Sequence, residues 1–140
     1  MSLWLVDSGP LVAYLDAGDP AHAAVARRLE AFAGRLATTS AVVSEAMHLV
    51  ASDRQGPGLL ADLLAEAQVE IYDLSPPPHL HHAVDLMGRY ANLPMDFADA
   101  TLLLLAEGLG AGDLLTLDRR GFAAFRTREG GALRLVLDLD

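Results

Sequence analysis

The chain has 140 residues, no cysteine, 52% hydrophobic residues and a formal net charge of −9, a composition that predicts one soluble, acidic globular domain over residues 1–140. The absence of cysteine excludes disulfides, thiolate nucleophiles and iron–sulfur clusters. All ten basic residues are arginine, so P-loop nucleotide binding and Schiff-base chemistry, which need a lysine, are excluded as well.

The first half of the chain alternates short apolar runs with amphipathic stretches. Leu3–Val6 is predicted to be a buried strand, and Pro10 favours a helix directly after it, so Asp7 lies where strand passes to helix. The next predicted elements are a helix from Asp19 to Phe32, a strand over 35–39, a helix over 41–52 with Ser40 as its N-cap, and a helix over 59–67. This pattern places Glu45 in the second turn of the 41–52 helix.

The second half repeats the alternation after a run of three prolines. Its predicted elements are a strand over 69–74, a helix over 79–90, a helix from Pro94 to Glu107, and strands over 113–117 and 133–139. Strands that alternate with helices in this way predict an α/β fold with a parallel sheet.

No targeting or membrane segment is predicted. The N-terminus reaches Asp7 without a basic leader, and the leucine run at 102–105 is far too short to span a bilayer. We therefore expect a cytoplasmic protein without a membrane partner. The net charge argues against nonspecific adhesion to nucleic acid, although the arginines between 119 and 128 form a basic stretch that is either a solvated loop or a phosphate contact.

Four carboxylates occur in positions that suggest a site. Asp7 and Asp118 follow predicted strands, where open α/β sheets place their ligand crevice. Glu45 and Asp99 lie on predicted helices within apolar sequence, and Asp99 shares a helical stripe with core leucines. A buried carboxylate is costly unless it is paired, so these acids are expected either to pair with arginine or to bind a divalent cation together.

Four segments together resemble a known family. They are Leu5-Val6-Asp7-Ser8-Gly9-Pro10-Leu11, Thr39-Ser40 with Ser44-Glu45-Ala46, Leu93-Pro94-Met95-Asp96-Phe97-Ala98-Asp99-Ala100, and Leu115-Thr116-Leu117-Asp118-Arg119-Arg120-Gly121-Phe122. In order and spacing they resemble the PIN-domain metal-dependent ribonucleases, most closely the VapC-type toxins of prokaryotic toxin–antitoxin systems. The resemblance covers essentially the whole chain and implies a three-layer α/β/α fold with a mostly parallel central sheet.

The resemblance also implies a site and a cofactor. Its acidic cluster corresponds to Asp7, Glu45, Asp99 and Asp118, which would hold Mg²⁺ or Mn²⁺ to activate a water against a scissile phosphate. Ser8 and Thr116 are the neighbouring hydroxyls that would orient carboxylates or water. Asp96 is either a further metal ligand or an ordinary helix cap, and one ion and two ions are both compatible with the sequence.

The implied function is a single-strand endoribonuclease that acts as a toxin, is neutralised by a small antitoxin and forms a homodimer. Arg119 and Arg120 are expected to hold the RNA backbone near the metal. Two rival interpretations stay open, namely a PIN nuclease of RNA processing that is not a toxin, and a non-catalytic metal-binding interaction module. Exposed apolar residues expected on the first helices would seat a partner helix.

The histidines are expected to be peripheral. His79, His81 and His82 are clustered, which would suit either a metal site or a solvated helix start, and we favour the solvated helix start. His48 lies three residues beyond Glu45 on the same predicted helix and would be able to reach the pocket. Trp4 and Tyr14 are predicted to be core residues rather than base-stacking platforms.

Overall fold

The computed structural model describes residues 2–138. Its strands are β1 (Leu3–Val6), β2 (Arg35–Thr39), β3 (Glu70–Tyr72), β4 (Asp113–Leu115) and β5 (Arg134–Leu135). Its helices are α1 (Ser8–Leu15), α2 (His22–Ala31), α3 (Ser40–Val50), α4 (Gly56–Glu66), α5 (Pro77–Arg89), α6 (Phe97–Leu109) and α7 (Arg119–Ala124), followed by a 3₁₀ turn over Val136–Asp138. Within residues 2–138 no helix combines the length and apolar character that crossing a membrane requires.

The five strands form one sheet in the order β3-β2-β1-β4-β5, and each neighbouring pair is parallel. Helices connect the strands and cover the sheet, which gives three α/β/α layers. The predicted fold class is therefore confirmed. The chain builds outward from β1 to β2 and β3 and then returns to the other side of β1 with β4, so the strand order reverses between β1 and β4. Open α/β sheets bind their ligands at such a reversal.

The core is centred on α6. Residues from Thr101 to Ala106 are all buried, because this helix is apolar on every face and is covered by neighbouring elements such as α3, α5 and β2. Trp4 stacks on Phe32 with ring centroids 3.8 Å apart and packs against the core, as predicted. Burying the length of α6 places its N-terminus, with Asp99, beside the carboxyl ends of β1 and β2.

Several predicted boundaries were wrong, and hydrogen bonds at the helix starts explain most of them. The helix that we predicted from Pro94 begins at Phe97, because Asp96 and Asp99 form a reciprocal capping box. Thr39 rather than Ser40 caps α3, since its side chain accepts the backbone N–H of Val42 at 3.2 Å. α2 begins later than expected, at His22.

The C-terminal part differs more. The predicted strand over 113–117 ends at Leu115, since Asp118 caps a short helix, α7, that the sequence pattern did not reveal. The predicted strand over 133–139 pairs with β4 only at Arg134–Leu135 and then turns into the 3₁₀ segment, and position 139 lies outside the described residues.

Candidate active site

Asp7 lies at the reversal of the sheet, between the ends of β1 and β4. It caps α1: its Oδ1 accepts the backbone N–H of Ser8 at 2.8 Å, and its Oδ2 accepts the hydroxyl of Thr116 at 2.7 Å. The strand register explains this second bond. Val6 at the end of β1 pairs with Leu115 at the end of β4, so the residues that follow them, Asp7 and Thr116, are neighbours. Burial raises the pKa of Asp7 above its ordinary value of 3.8, although both hydrogen bonds oppose the rise.

Thr116 links Asp7 to Asp118. Its hydroxyl oxygen accepts the backbone N–H of Asp118 at 3.0 Å while it donates to Asp7. The carboxylate of Asp118 is exposed and caps α7 by accepting the backbone N–H of Gly121 at 3.0 Å. A Cβ at position 121 would lie 2.5 Å from Asp118 Oδ2, so this cap needs glycine there. The predicted hydroxyl thus holds two of the predicted acids in a fixed relation.

Glu45 approaches from the second turn of α3. It is half-buried, and one of its carboxylate oxygens accepts the hydroxyl of Ser8. Burial is the main cause that raises the pKa of Glu45, and the charges of Asp96 and Asp7 raise it further, against the Ser8 hydrogen bond. The side chain of Ser8 therefore links α1 to α3 and brings Glu45 close to Asp7.

Asp96 and Asp99 occupy the N-terminus of α6. Asp96 Oδ1 accepts the backbone N–H of Asp99 at 2.8 Å, and Asp99 Oδ2 accepts that of Asp96 at 3.2 Å. Asp96 is therefore a helix cap, one of the two roles that the sequence left open. Burial and the neighbouring charges of Asp96 and Asp7 raise the pKa of Asp99 to about 8, and the backbone bond opposes this rise.

No cation compensates these carboxylates in the described part of the chain. The four ion pairs found there lie elsewhere and join Arg35 to Glu70, Arg119 to Asp138, Arg128 to Glu107, and Arg134 to Asp113. The alternative that the site acids pair with arginine is therefore wrong for residues 2–138. The pKa values of Asp7, Glu45 and Asp99 are raised in part because neighbouring carboxylates repel one another. A bound cation would relieve this repulsion.

The donor set fits a hard divalent ion, although the side chains do not yet converge on one point. Mg²⁺ and Mn²⁺ prefer oxygen ligands, and the carboxylates at the reversal of the sheet supply such oxygens. Across residues 2–138, however, no group of three histidine, aspartate or glutamate side chains is placed to hold one ion as it stands. Ser8, Thr116 and backbone N–H groups fix the carboxylates in this arrangement, so some of the side chains must rotate before they can share one ion.

An open cleft of about 740 Å³ adjoins the acids. It is lined by Ser40, Ala41, Ser44, Glu45, His48, Ser75, Asp96, Phe97 and Ala98. His48 reaches this cleft, as its spacing from Glu45 suggested. The sequence reasoning missed Ser44 and Phe97, although each is the direct neighbour of a predicted acid.

The other predicted residues lie outside the cleft. Arg119 and Arg120 are exposed in the first turn of α7, where Arg119 contacts Asp138 with 2.8 Å between nitrogen and oxygen. His79 and His82 line a separate cavity of about 290 Å³ with Glu107 and Arg128. His81 is exposed, and the helix begins at Pro77, in line with the expected helix start.

The sequence was compared with protein-family models and with known proteins, and both comparisons found matches over most of the chain. The PIN-domain family model matches residues 4–127. Ribonuclease VapC26 of Mycobacterium tuberculosis is 31% identical in an alignment 134 residues long, which covers 94% of this chain and 98% of that protein.

Solved structures share the fold. VapC20 of Mycobacterium tuberculosis, a sarcin–ricin loop cleaving toxin, superposes with a TM-score of 0.77 at 19% identity over 86% of this chain and 94% of that one. VapBC2 from Rickettsia felis, bound to a DNA fragment from its promoter, superposes with a TM-score of 0.68 at 16% identity and covers 95% of this chain and 98% of that one. A toxin–antitoxin complex from Klebsiella pneumoniae superposes with a TM-score of 0.62 at 21% identity and covers 89% of this chain and 92% of that one.

Proposed function

The chain belongs to the PIN-domain family, among its VapC ribonucleases, and on this premise we propose that it is a metal-dependent endoribonuclease that cleaves single-stranded RNA as the toxin of a toxin–antitoxin pair. The observation that carries the proposal is the set of carboxylates at the reversal of the sheet, which have no cationic partner among residues 2–138. We expect this activity in the cytoplasm, where an RNA substrate and a protein antitoxin would meet it.

Asp7, Glu45, Asp99 and Asp118 would hold Mg²⁺ or Mn²⁺, and Asp96 is the nearest further carboxylate. The ion, when bound, supplies Lewis acidity that makes a water more acidic and neutralises charge on the scissile phosphate. Hydrolysis would join the oxygen of this water to phosphorus and break the bond from phosphorus to a ribose oxygen, which would take up the proton that the water loses. The chain therefore needs no side-chain nucleophile.

The remaining residues position these groups. Ser8 donates to Glu45 and limits its rotation, while Thr116 donates to Asp7 and fixes the backbone of Asp118. Arg119 and Arg120 follow Asp118 directly and face solvent, where they would contact backbone phosphates of a strand that enters the site. In a chain of net charge −9, such local cations are needed to hold a polyanion.

A toxin needs an inhibitor, and the surface offers a seat for one. An apolar cavity of about 110 Å³ lies between α1, α2 and α4 and is lined by Leu11, Tyr14, Leu29, Leu63 and their neighbours. A helix is about 10–12 Å across, so this cavity has room for a side chain of a partner but not for a whole helix. Contrary to expectation, no large exposed apolar residue lies on α1 or α2 within residues 2–138. A cognate antitoxin whose helix places an apolar side chain in this cavity is part of the proposal, as is a homodimer.

Cleavage of a fluorescent single-stranded RNA tests the enzyme. We expect cleavage with Mg²⁺ or Mn²⁺, none with chelator, and loss of at least 100-fold in rate for Asp7→Asn. The matched control is Asp85→Asn, which removes an exposed carboxylate on α5. Cleavage that persists in chelator would contradict metal dependence, and no cleavage with either ion would favour the non-catalytic binding module.

Expression without a partner tests the toxin role. We expect growth arrest on expression of the parent chain and none on expression of Asp7→Asn. Normal growth with an active enzyme would instead support the rival function in RNA processing.

A further inference from the structure

The cleft beside the acids is larger than metal binding requires. At about 740 Å³ it has the size of a site for an organic ligand, and only two of its nine lining residues, Glu45 and Asp96, are carboxylates. One wall is a stripe of α3 formed by Ala41, Ser44, Glu45 and His48, which recur at the three- and four-residue spacing of one helix face. The opposite wall is the start of α6, from Asp96 to Ala98.

The chemistry of these walls suits a neutral group. None of the lining residues is an arginine, and the two carboxylates repel phosphate. The other lining groups are hydroxyls, an imidazole, methyl groups and one aromatic ring. The neutral parts of an RNA strand are its bases and sugars, and hydroxyl and imidazole groups can bond the edge of a base.

Phe97 is the one aromatic residue among those that line the cleft. It is the first residue of α6, directly after the cap residue Asp96, and it lines the cleft together with Asp96 and Glu45 while it also packs against the core. It is partly exposed to the cleft, and within residues 2–138 its ring takes part in none of the close ring–ring pairs. Stacking on such a ring is tolerant of sequence and strengthens single-strand binding.

We propose that the cleft between α3 and the start of α6 is a nucleobase subsite, in which a base next to the cleaved bond stacks on Phe97 and its edge is bonded by His48 and Ser44. The inference rests on the proposed function and adds to it the part of the substrate that this wall recognises. Phosphate is left to the metal end of the site and to the arginines of α7.

Base removal in the substrate tests the subsite. After the cleaved bond has been mapped by product sequencing, two RNAs are made with an abasic nucleotide on either side of it. For the parent we expect one abasic RNA to raise KM about 10-fold with a smaller change in kcat. Phe97→Leu should raise KM for intact RNA by a similar factor and show little further response to that abasic RNA.

Controls separate stacking from structural damage. Phe97→Trp keeps an aromatic face and should restore the parent KM, and circular dichroism with thermal unfolding checks that each variant folds. His48→Ala should alter which base is preferred at the same position, whereas His81→Ala removes an exposed histidine of α5 outside the cleft and should change nothing.

The outcomes distinguish this inference from the proposed function. If the parent cleaves RNA but base removal affects parent and Phe97→Leu equally at both positions, the subsite is refuted while the ribonuclease stands. If the parent cleaves no RNA with Mg²⁺ or Mn²⁺, the proposed function itself fails and the subsite fails with it.

Discussion

Removing one charge from the acid cluster should stabilise the apo-protein. Burial and neighbouring carboxylates raise the pKa of Asp99 to about 8, from an ordinary value of 3.8. When folding raises the pKa of a carboxyl group, the contribution of that group to folding stability is fully present below its pKa in the unfolded chain. This contribution is lost as the pH rises through its pKa in the folded chain. Asp99→Asn keeps the oxygen that accepts the backbone N–H of Asp96 and removes the titration.

The magnitude follows from the shift and the exposure of the site. One pKa unit corresponds to about 1.4 kcal/mol, which in a fully buried site would give about 6 kcal/mol for a shift of this size. Asp99 is only partly buried, so solvent screening reduces the expected effect to about 2 kcal/mol. Without metal, Asp99→Asn should therefore match the parent near pH 4 and exceed its free energy of unfolding by about 2 kcal/mol near pH 8.

Urea unfolding in chelator between pH 4 and pH 9 measures this difference, with Asp85→Asn as the control for loss of an exposed charge. Saturating Mn²⁺ should reverse the order, because the ion binds the folded parent more tightly than the variant. A variant that is less stable than the parent at pH 8, or a difference that does not change with pH, would refute the electrostatic reasoning. Cleavage by Asp99→Asn should be lost under all conditions.

Three further variants test the other groups. Glu45→Gln should abolish cleavage with little change in unfolding free energy, since Glu45 has no cationic partner in the described residues, and near-parental cleavage would remove it from the site. Replacing Arg119 and Arg120 by alanine should make the salt dependence of RNA binding shallower, as measured by fluorescence anisotropy at several salt concentrations, and an unchanged slope would place these side chains outside the interface. Thr116→Val should lose about 2 kcal/mol of stability in thermal unfolding, because two hydrogen bonds of about 1 kcal/mol each disappear. Its kcat should fall more than its KM changes, and an unchanged kcat would argue against a positioning role.

Periodicity was sufficient for the order and type of most elements. The apolar run of β1 and the amphipathic stretches of α3 and α5 were predicted close to their observed ranges, since both depend on local spacing of apolar residues. The apolar helix α6 was also predicted as a helix, but with its start at Pro94 instead of Phe97. Helix starts were less accurate, because competing caps such as Thr39 and Ser40 are indistinguishable until the backbone conformation is known. The six-residue helix α7 was too short to show a period.

The sequence by itself determined which residues are candidates for the site. Four acids in apolar or strand-end positions, the hydroxyls of Ser8 and Thr116, and the absence of cysteine and lysine restricted the chemistry to carboxylates and hard cations. The family resemblance then ordered these residues, and the matching family model agrees with it. None of these inferences required a distance.

Only the tertiary structure decided how these groups meet. Asp7 and Thr116 are far apart in the chain, and their hydrogen bond exists because β1 and β4 are neighbours in parallel register. The helix-cap role of Asp96 and the cleft wall at Phe97 likewise depend on where α6 begins and what it faces. Contacts between distant segments depend on the strand order and on the packing of whole elements, neither of which local spacing encodes.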